Sequence, residues 1–517
     1  MSQRLNLAEA VIGRISLSAR PALSEPGRTW TYGELLARVS RVGGALLRLG
    51  VCPRDRVAVL MPDCLEAAAS VLGAVWIGGI GVPISELLRP NDIRNLLSDS
   101  GASVALVDAS LEPLLDEVRL EIGSLREIVV VGGARAGERS FEALLGTATP
   151  AEPAETHDDD PALILYSAGA SEAPKGVLHS HGAPLASFRT YAEGVLGLRP
   201  EDRVFSTFKL ASAFGLGAGL VFPLAAGAES ILLPQQARSS VVFDLLRICR
   251  PTVMFATPSV YNQLALDLAP SDEPPLAMLR RCVSEGESLP PALADRISAV
   301  LGAVPLPCYG LTEAFHAVIA HPIGPSRPGS CGTAVPEFEA RIVNEEGSPL
   351  PPDEIGTLEI KGPSLGLGYW NRPTDSTAVF RGEWLRTGDR FLADRDGHYF
   401  HCCRTDDLFK VSGKWVSPLE IEKTLLAHEA VWECAVVGAA DEHGLTKPLA
   451  YVVPNVGFVP TSTLRQELIE YVKREIAPYK YPRWVEFVDS LPKGPHGTVL
   501  RYKLRARLPH KAAPDLG

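Results

Sequence analysis

The residues best suited to chemistry begin at Ile164–Gly176, ILYSAGASEAPKG. An apolar, strand-like stretch runs into small and hydroxyl residues and closes on Pro174, Lys175 and Gly176. Small side chains let backbone N–H groups approach phosphate oxygens; Ser167, Gly169, Ser171 and Lys175 add hydroxyls, room and a cation. Such a loop alone also fits an ordinary surface turn. Three later blocks give it weight: YGLTE at Tyr309–Glu313, LRTGD at Leu385–Asp389 and RTDDLFKVSG at Arg404–Gly413.

In this order and spacing, the four blocks resemble the adenylate-forming superfamily of acyl- and aryl-CoA synthetases, peptide-synthetase adenylation domains and luciferases. The resemblance spans essentially the whole chain. KLASAFGLGAGLVFPL at Lys209–Leu224, SEGESLP at Ser284–Pro290, the His of YGLTEAFH, and DDLFKVSGKWVSPLEIE at Asp406–Glu422 look like the benzoate–CoA ligase branch. The resemblance implies that Tyr309 stacks on adenine, Asp389 accepts from the ribose hydroxyls, and Arg404 contacts ribose or phosphate. Thr312, with Ser167, Gly169, Ser171 and Lys175, completes the nucleotide contacts. Glu313 would hold Mg²⁺, a hard cation that prefers carboxylate and phosphate oxygens. Ala213, Phe214, Gly286, Tyr309, Gly310 and His316 would line the aryl pocket, with His316 nearest the carboxylate. Without the family pattern, His316 reads more readily as a satisfied core residue than as a site residue. Asp406 is the implied hinge, and Gly413 and Trp415 would line the tunnel for the thiol arm. The implied ligands are AMP or ATP, CoA or phosphopantetheine, and an aromatic acid or its CoA thioester.

Two departures bear on activity. The phosphate loop of the family reads S-S-G-S-T-G-x-P-K-G; here Ala168 and Ala170 replace hydroxyl residues and Glu172 replaces a glycine. A carboxylate there repels a triphosphate. Near the C-terminus the family pattern L-P-K-T-x-x-G-K is matched by LPKGPHGT, so Thr498 stands where the reacting lysine belongs. Lys493 matches the first family lysine, and Lys503 lies further along. Removing one preorganised group that stabilises developing charge costs about 3–4 kcal/mol, or roughly a hundred- to thousandfold in rate. Thiol attack on an acyl-AMP follows domain rotation and does not use that lysine.

The residues therefore predict an enzyme that moves an aryl (benzoate- or anthranilate-like) group from CoA to a pantetheine thiol, such as an acyl carrier protein. The route runs through acyl-AMP with the ATP-dependent half impaired, as in transferases that move an anthraniloyl group from CoA to a carrier protein. An ATP-dependent aryl-CoA ligase and a non-catalytic aryl- or nucleotide-binding protein are the alternatives.

These loops need a scaffold of alternating strands and helices. Helix Glu34–Leu49 is followed by strands at Arg56–Leu60, Ser103–Val107 and Glu127–Val131, which predicts an α/β architecture with mainly parallel strands. Thr147–Asp160 reads as a linker or surface loop, and Pro270–Pro275 as an exposed loop. Beyond about residue 335 the texture turns β-rich, with strands at Glu339–Val343 and Gly356–Lys361. From Asp406 a βαβ-like pattern returns: helices Pro418–Leu426 and Ser462–Glu475, strands Cys434–Val437 and Trp484–Phe487. The expected division is a large N-terminal AMP- and aryl-acid-binding domain, 1–405, and a small mobile α+β domain, 406–517. Apolar stretches at Ala67–Ser85 and Leu210–Ala228 approach bilayer-spanning length, but Gly and Pro interrupt them, which predicts buried helix–strand pairs.

The 517 residues are 46% hydrophobic and 21% charged, as in globular chains with large cores. A formal charge of −11 argues against general nucleic-acid binding. Nine scattered cysteines without a CxxC pair suggest neither zinc nor disulfides, and with no secretory leader they predict a cytoplasmic protein with reduced thiols and no membrane partner.

Overall fold

The computed structural model describes residues 2–507 apart from 136–138, 168–173, 268–277, 288, 290, 325, 405–406, 408, 412–413, 442–444, 478–479 and 494–498. Pro270–Pro275 lies outside them. The described residues form an α/β protein with a large N-terminal domain and a small C-terminal one.

Two large sheets carry the N-terminal domain. The first, of eight strands among the described residues, has Arg56–Leu60 flanked by Ile80–Ile84 and Val104–Asp108, all parallel. These strands are β-branched, and Ile80–Ile84 is buried at every position, as befits a sheet covered on both faces. The second, of nine strands, holds the parallel run Arg203–Ser206, Val253–Ala256, Arg281–Ser284 and Pro305–Gly310. A five-stranded antiparallel sheet built on Glu339–Val343, Gly356–Lys361, Trp384–Ala393 and Tyr399–Arg404 follows.

Helix Tyr32–Arg48 starts on a reciprocal cap in which Thr31 and Glu34 each bind the other's backbone N–H. Gly44 of that helix has no room for a side chain: a Cβ would stand 1.9 Å from the Thr149 carbonyl oxygen. The segment after Thr147 is thus no free linker. Trp76 Nε1 donates to the Ala151 carbonyl at 2.8 Å, and the chain continues into strand Pro161–Tyr166 of the same first sheet.

The two apolar stretches are both buried, but only one is a helix–strand pair. Ala67–Ser85 holds helix Leu65–Trp76 and strand Ile80–Ile84. Leu210–Ala228 is helical instead, with α turns Ala213–Leu216 and Phe222–Ala226 joined by a π turn, Gly217–Val221. Three glycines at 215, 217 and 219 let this helix press against its neighbours. Among the described residues, no helix is long and apolar enough to cross a membrane.

In the C-terminal domain, strands Val431–Ala440, Thr446–Pro454 and Trp484–Phe487 form one sheet, packed by helices Pro418–Leu426 and Ser462–Glu475. Half-buried Arg501 of helix Arg501–Ala506 binds both oxygens of Glu422, at 2.8 and 2.7 Å, and Arg505 holds Asp407 at 2.9 Å. The helix after the 494–498 segment is thereby tied to the residue just past position 406.

His179, on strand Gly176–Ser180, is fully buried edge-on to Phe315, 5.5 Å between ring centres. Burial pushes its imidazole down to about 4, from an ordinary 6.5. Below about pH 6.5 the unfolded chain takes up a proton that the folded chain refuses until about pH 4, so stability is lost as pH falls through that window. The variant His179→Gln should show a stability–pH slope shallower by about 1.4 kcal/mol per pH unit between roughly pH 6 and pH 4, read from denaturant midpoints.

Candidate functional site

The functional segments follow the carboxyl ends of strands in the two large sheets. Ser167 follows strand Pro161–Tyr166, Phe208 follows Arg203–Ser206, Glu285 and Gly286 follow Arg281–Ser284, and Leu311 to Glu313 follow Pro305–Gly310. Carboxyl ends of parallel strands are where open α/β sheets bind ligands, because connecting loops converge there.

One group of predicted residues meets around Tyr309. Its hydroxyl donates to Asp389 Oδ2 at 2.8 Å, across to the five-stranded sheet. His401 Nε2 lies 3.2 Å from the other carboxylate oxygen, and its ring lies near-parallel to Tyr309, with centres 6.1 Å apart. Phe391 closes the side of Tyr309 edge-on at 4.7 Å. Strand pairing builds this arrangement, because Phe391 stands opposite His401 and Asp389 opposite Arg404. Thr387 steadies the turn: its hydroxyl donates to the Leu358 carbonyl and accepts from the Asp389 N–H.

A second group surrounds Glu313, on the short 3-10 turn Thr312–Ala314. Tyr369 donates its hydroxyl to Glu313 Oε1 at 2.7 Å. The Lys175 ammonium sits 5.6 Å from the Tyr369 ring centre and 3.5 Å from Asp375. Lys175 reaches this point because Gly368–Tyr369 pairs with Val177 and Leu178. The carbonyl of Lys175 accepts from the Ser167 N–H at 3.0 Å, closing the neck of the 167–175 loop. Phe315, just past the turn, has φ +69, a left-handed conformation costly for a bulky residue, and it directs the chain into His316.

The third group is an aromatic cluster around His316. His316 is fully buried, with Phe214 edge-on at 5.0 Å, Phe222 tilted at 4.7 Å and Tyr191 stacked at 5.5 Å. Ala213 opens the short helix that carries Phe214, capped by the Ser212 hydroxyl accepting from the Gly215 N–H. Phe208 packs against Phe214 at 5.7 Å and lies within van der Waals reach of Gly286, whose φ is +83. Gly310 admits the crossing backbone, since a Cβ there would lie 2.4 Å from the His316 carbonyl oxygen. Burial drives the His316 imidazole down to about 3, so it is neutral at physiological pH. Glu285 Oε1 lies 3.7 Å from His316 Nε2, and burial raises that carboxyl to about 8.

Other predicted residues fall beyond view. Gly169, Ser171, Asp406, Gly413 and Thr498 lie outside the described residues, as do the side chains of Arg404 and Trp415. Lys493 pairs with Glu433 at 2.5 Å within its own domain. Its charge also lowers the Glu287 carboxyl, against the larger raising effect of burial. Lys503 lines a polar cleft of about 600 Å³ with Arg89, Asp92, Glu117 and Glu121. Glu285, Tyr369 and His401 were not anticipated as site residues. Glu285 stands in a segment where Gly286 drew notice; the other two arrive by strand pairing, which leaves no local mark.

A sequence model described as AMP-binding enzyme matches residues 16–370, and one described as AMP-binding enzyme C-terminal domain matches 420–498. The chain belongs to the AMP-binding enzymes. It is 40% identical to the benzoate–CoA ligase of Thauera aromatica over 98% of this chain and 96% of that one. Among solved structures it is similar to the anthranilate CoA ligase AuaEII in complex with anthranoyl-AMP, with TM-score 0.93 and 36% identity over 98% of each chain. It is also similar to a benzoate CoA ligase from Burkholderia xenovorans, with TM-score 0.90 and 36% identity over 97% of this chain and 99% of the other. The predicted family, branch and fold are those the relatives show. For activity they favour the ligase alternative over thioester transfer.

In this AMP-binding enzyme the π turn at Gly217 lets His316 sit where it does, for a Cβ there would stand 2.6 Å from His316 Cδ2. Gly217→Ala should lower folding stability by about 1–3 kcal/mol through overpacking, measured by denaturant unfolding. An unchanged midpoint would mean that the imidazole can retreat.

Proposed function

We propose that this AMP-binding enzyme is an aromatic acid–thiol ligase that forms an aryl-AMP and passes the aryl group to CoA. The carrying observation is adjacency. One strand end, Tyr309 to His316, supplies both a tyrosine–aspartate pair suited to a nucleoside and a buried imidazole walled by Phe214, Phe222 and Tyr191. Tyr309 offers its ring face to adenine and Asp389 accepts from the ribose hydroxyls. Lys175, Ser167 and Thr312 border the phosphates, joined by Gly169, Ser171 and Arg404. Neutral His316 gives an N–H to the acid's carboxylate without adding charge. Asp406 serves as hinge, and Gly413 and Trp415 line the thiol path. These parts divide the chain into an N-terminal domain, 1–405, and a mobile C-terminal one, 406–517.

Glu313 offers a carboxylate to a cation carried by the nucleotide, and the described residues contain no group of three or more His, Cys, Asp or Glu able to hold a metal. That suits a Mg²⁺ brought by the triphosphate and completed by its oxygens and water. Such an ion would offset phosphate charge. The eight cysteines whose side chains are described are free thiols, which accords with a cytoplasmic enzyme.

A second reading rests on Thr498, Ala168, Ala170 and Glu172. All four weaken the encounter of carboxylate with ATP and leave the thiol side intact. An aryl-CoA would then react with AMP: the thioester C–S bond breaks, the acyl–phosphate bond forms, and CoA leaves as the thiol. A carrier-protein pantetheine thiol next attacks the aryl-AMP, giving the new thioester and AMP.

Aryl-dependent ATP–pyrophosphate exchange tests both readings. The wild type should exchange weakly, and Thr498→Lys should raise the rate roughly a hundred- to thousandfold. Fast exchange by the wild type would end the transfer reading. No exchange in either protein, together with AMP-dependent transfer from aryl-CoA to a holo carrier protein, would end the ligase reading. Asp389→Ala should weaken AMP binding about tenfold or more in a calorimetric titration, as expected when charge-assisted hydrogen bonds are lost.

A further inference from the structure

A charged triad lies buried where the two large sheets meet. Lys209 and Asp63 are buried, and the Glu86 side chain is only 10% exposed. The Lys209 ammonium pairs with Glu86 Oε1 at 2.8 Å and donates to the Leu233 and Gln235 carbonyls at 3.3 and 3.2 Å. Asp63 Oδ2 stands further off, at 3.8 Å, while Asp63 Oδ1 accepts from the Leu210 N–H at 3.1 Å. Asp63 and Glu86 follow the neighbouring strands Arg56–Leu60 and Ile80–Ile84 of the first sheet. Lys209 and the two carbonyls follow Arg203–Ser206 and Glu229–Ile231 of the second. One ammonium therefore ties the ends of four strands together.

From Lys209 the backbone leads to the aromatic cluster around His316. Phe208, the residue before it, packs against Phe214. The Lys209 carbonyl accepts from both the N–H and the hydroxyl of Ser212, each at 2.9 Å. That hydroxyl in turn accepts from the Gly215 N–H at 3.0 Å, capping the short helix whose Phe214 meets His316 edge-on. Helix and lysine are in direct contact, since a Cβ on Gly215 would stand 1.9 Å from the Lys209 carbonyl oxygen.

An apolar side chain could fill the same volume. A buried ion pair gains little net stability, because desolvation offsets the attraction, so what it contributes here is geometry. The charges are also uneven, with one ammonium to two carboxylates.

We propose that Lys209 is a positioning residue: held by Asp63 and Glu86, its ammonium sets Phe208 and Phe214 in place for the aromatic acid, and the net charge of this triad is coupled to binding of the anionic ligand. The proposal rests on the reading that the cluster around His316 receives an aromatic acid. The sign follows from the charge balance. Burial raises the Asp63 carboxyl to about 7, with Lys209 opposing and Glu86 adding to the rise. Glu25 and Glu66 act on the neighbouring Cys64, and Arg28 pairs with both. With Asp63 protonated, the formal charges of the triad cancel. With Asp63 ionised, one negative charge is left over and disfavours an anion nearby. An anionic ligand therefore binds more tightly below that pH than above it, and its binding promotes proton uptake by Asp63.

The test is calorimetric titration of the full-length protein between about pH 6 and pH 8. The probe is benzoyl-sulfamoyl adenosine, a non-hydrolysable anionic mimic of an aryl-AMP. The control is sulfamoyl adenosine, which lacks both the aryl group and the charge. The wild type should bind the probe roughly threefold or more tightly at the acid end than at the alkaline end, with no such trend for the control. Asp63→Asn, which keeps an acceptor for the Leu210 N–H, should flatten the probe's profile. Lys209→Met should weaken the probe about tenfold or more and the control by less than about twofold, and Lys209→Arg should restore part of the loss. A wild-type profile as flat as the control's would overturn the proposal, as would an Asp63→Asn profile like that of the wild type; both results stand even if Lys209→Met does not fold. Equal losses for probe and control in Lys209→Met would also overturn it, showing an ion pair that serves folding alone. A probe that binds tightly but with a flat profile removes only this proposal; one that binds no tighter than the control removes the function reading as well.

Discussion

The geometry of the site depends on one constraint: neighbouring parallel strands all present their carboxyl ends to the same side. Val253–Ala256, Arg281–Ser284 and Pro305–Gly310 are hydrogen-bonded neighbours in register, so the residues after each emerge side by side. Thr257, Gly286 and the Tyr309–Glu313 turn therefore meet without any contact drawing them together. Side chains then refine what topology has gathered. Tyr309 reaches across to Asp389 on another sheet, and Tyr369 reaches Glu313 from a short strand added to the first sheet. Each bond spans parts of the protein far apart in sequence.

Electrostatically, the site has two halves. Around Lys175, Asp375, Glu313 and Asp389, charges remain partly open to water and can meet a nucleotide with its counter-ion. Around His316, aromatic walls exclude water, and burial leaves the titratable groups uncharged. Gly310 lies at the junction, and the absence of a side chain there lets the returning His316 backbone cross next to Tyr309.

Much of this was legible in the sequence because it is local. Arg56–Leu60, Glu127–Val131 and Trp484–Phe487 begin and end as their β-branched and aromatic runs suggest, and helix Ser462–Glu475 starts just after a capping threonine. The phosphate-loop neck and the Tyr309 block were legible as motifs. Where reading failed, the deciding forces were not local. Gly-rich Leu210–Ala228 carries a weak helical signature, and only close packing against Leu210 and His316 explains its π turn. The Thr147–Asp160 segment has the composition of a linker, yet the Trp76 indole pins it down. His401 and Tyr369 join the site through strand register. Glu285 sits in a recognisable block, but nothing local shows that its carboxyl has no cation beside it.

Similarity over nearly the whole chain and the chemistry of one position answer different questions. Identity of 40% with a benzoate–CoA ligase is an average over 510 residues. Such agreement would persist whether or not a lysine stands at position 498. The adenylation step, by contrast, brings an anionic acid onto an anionic phosphate and so depends on a few positive groups. At 498 the chain has a hydroxyl, and Glu172 adds a negative charge within the phosphate loop. Of the nearby cations, Lys493 is paired with Glu433 and Arg501 with Glu422, so the packing of the C-terminal domain already employs them. The family therefore sets the fold that surrounds the site, while the charges at single positions such as 172 and 498 are this chain's own.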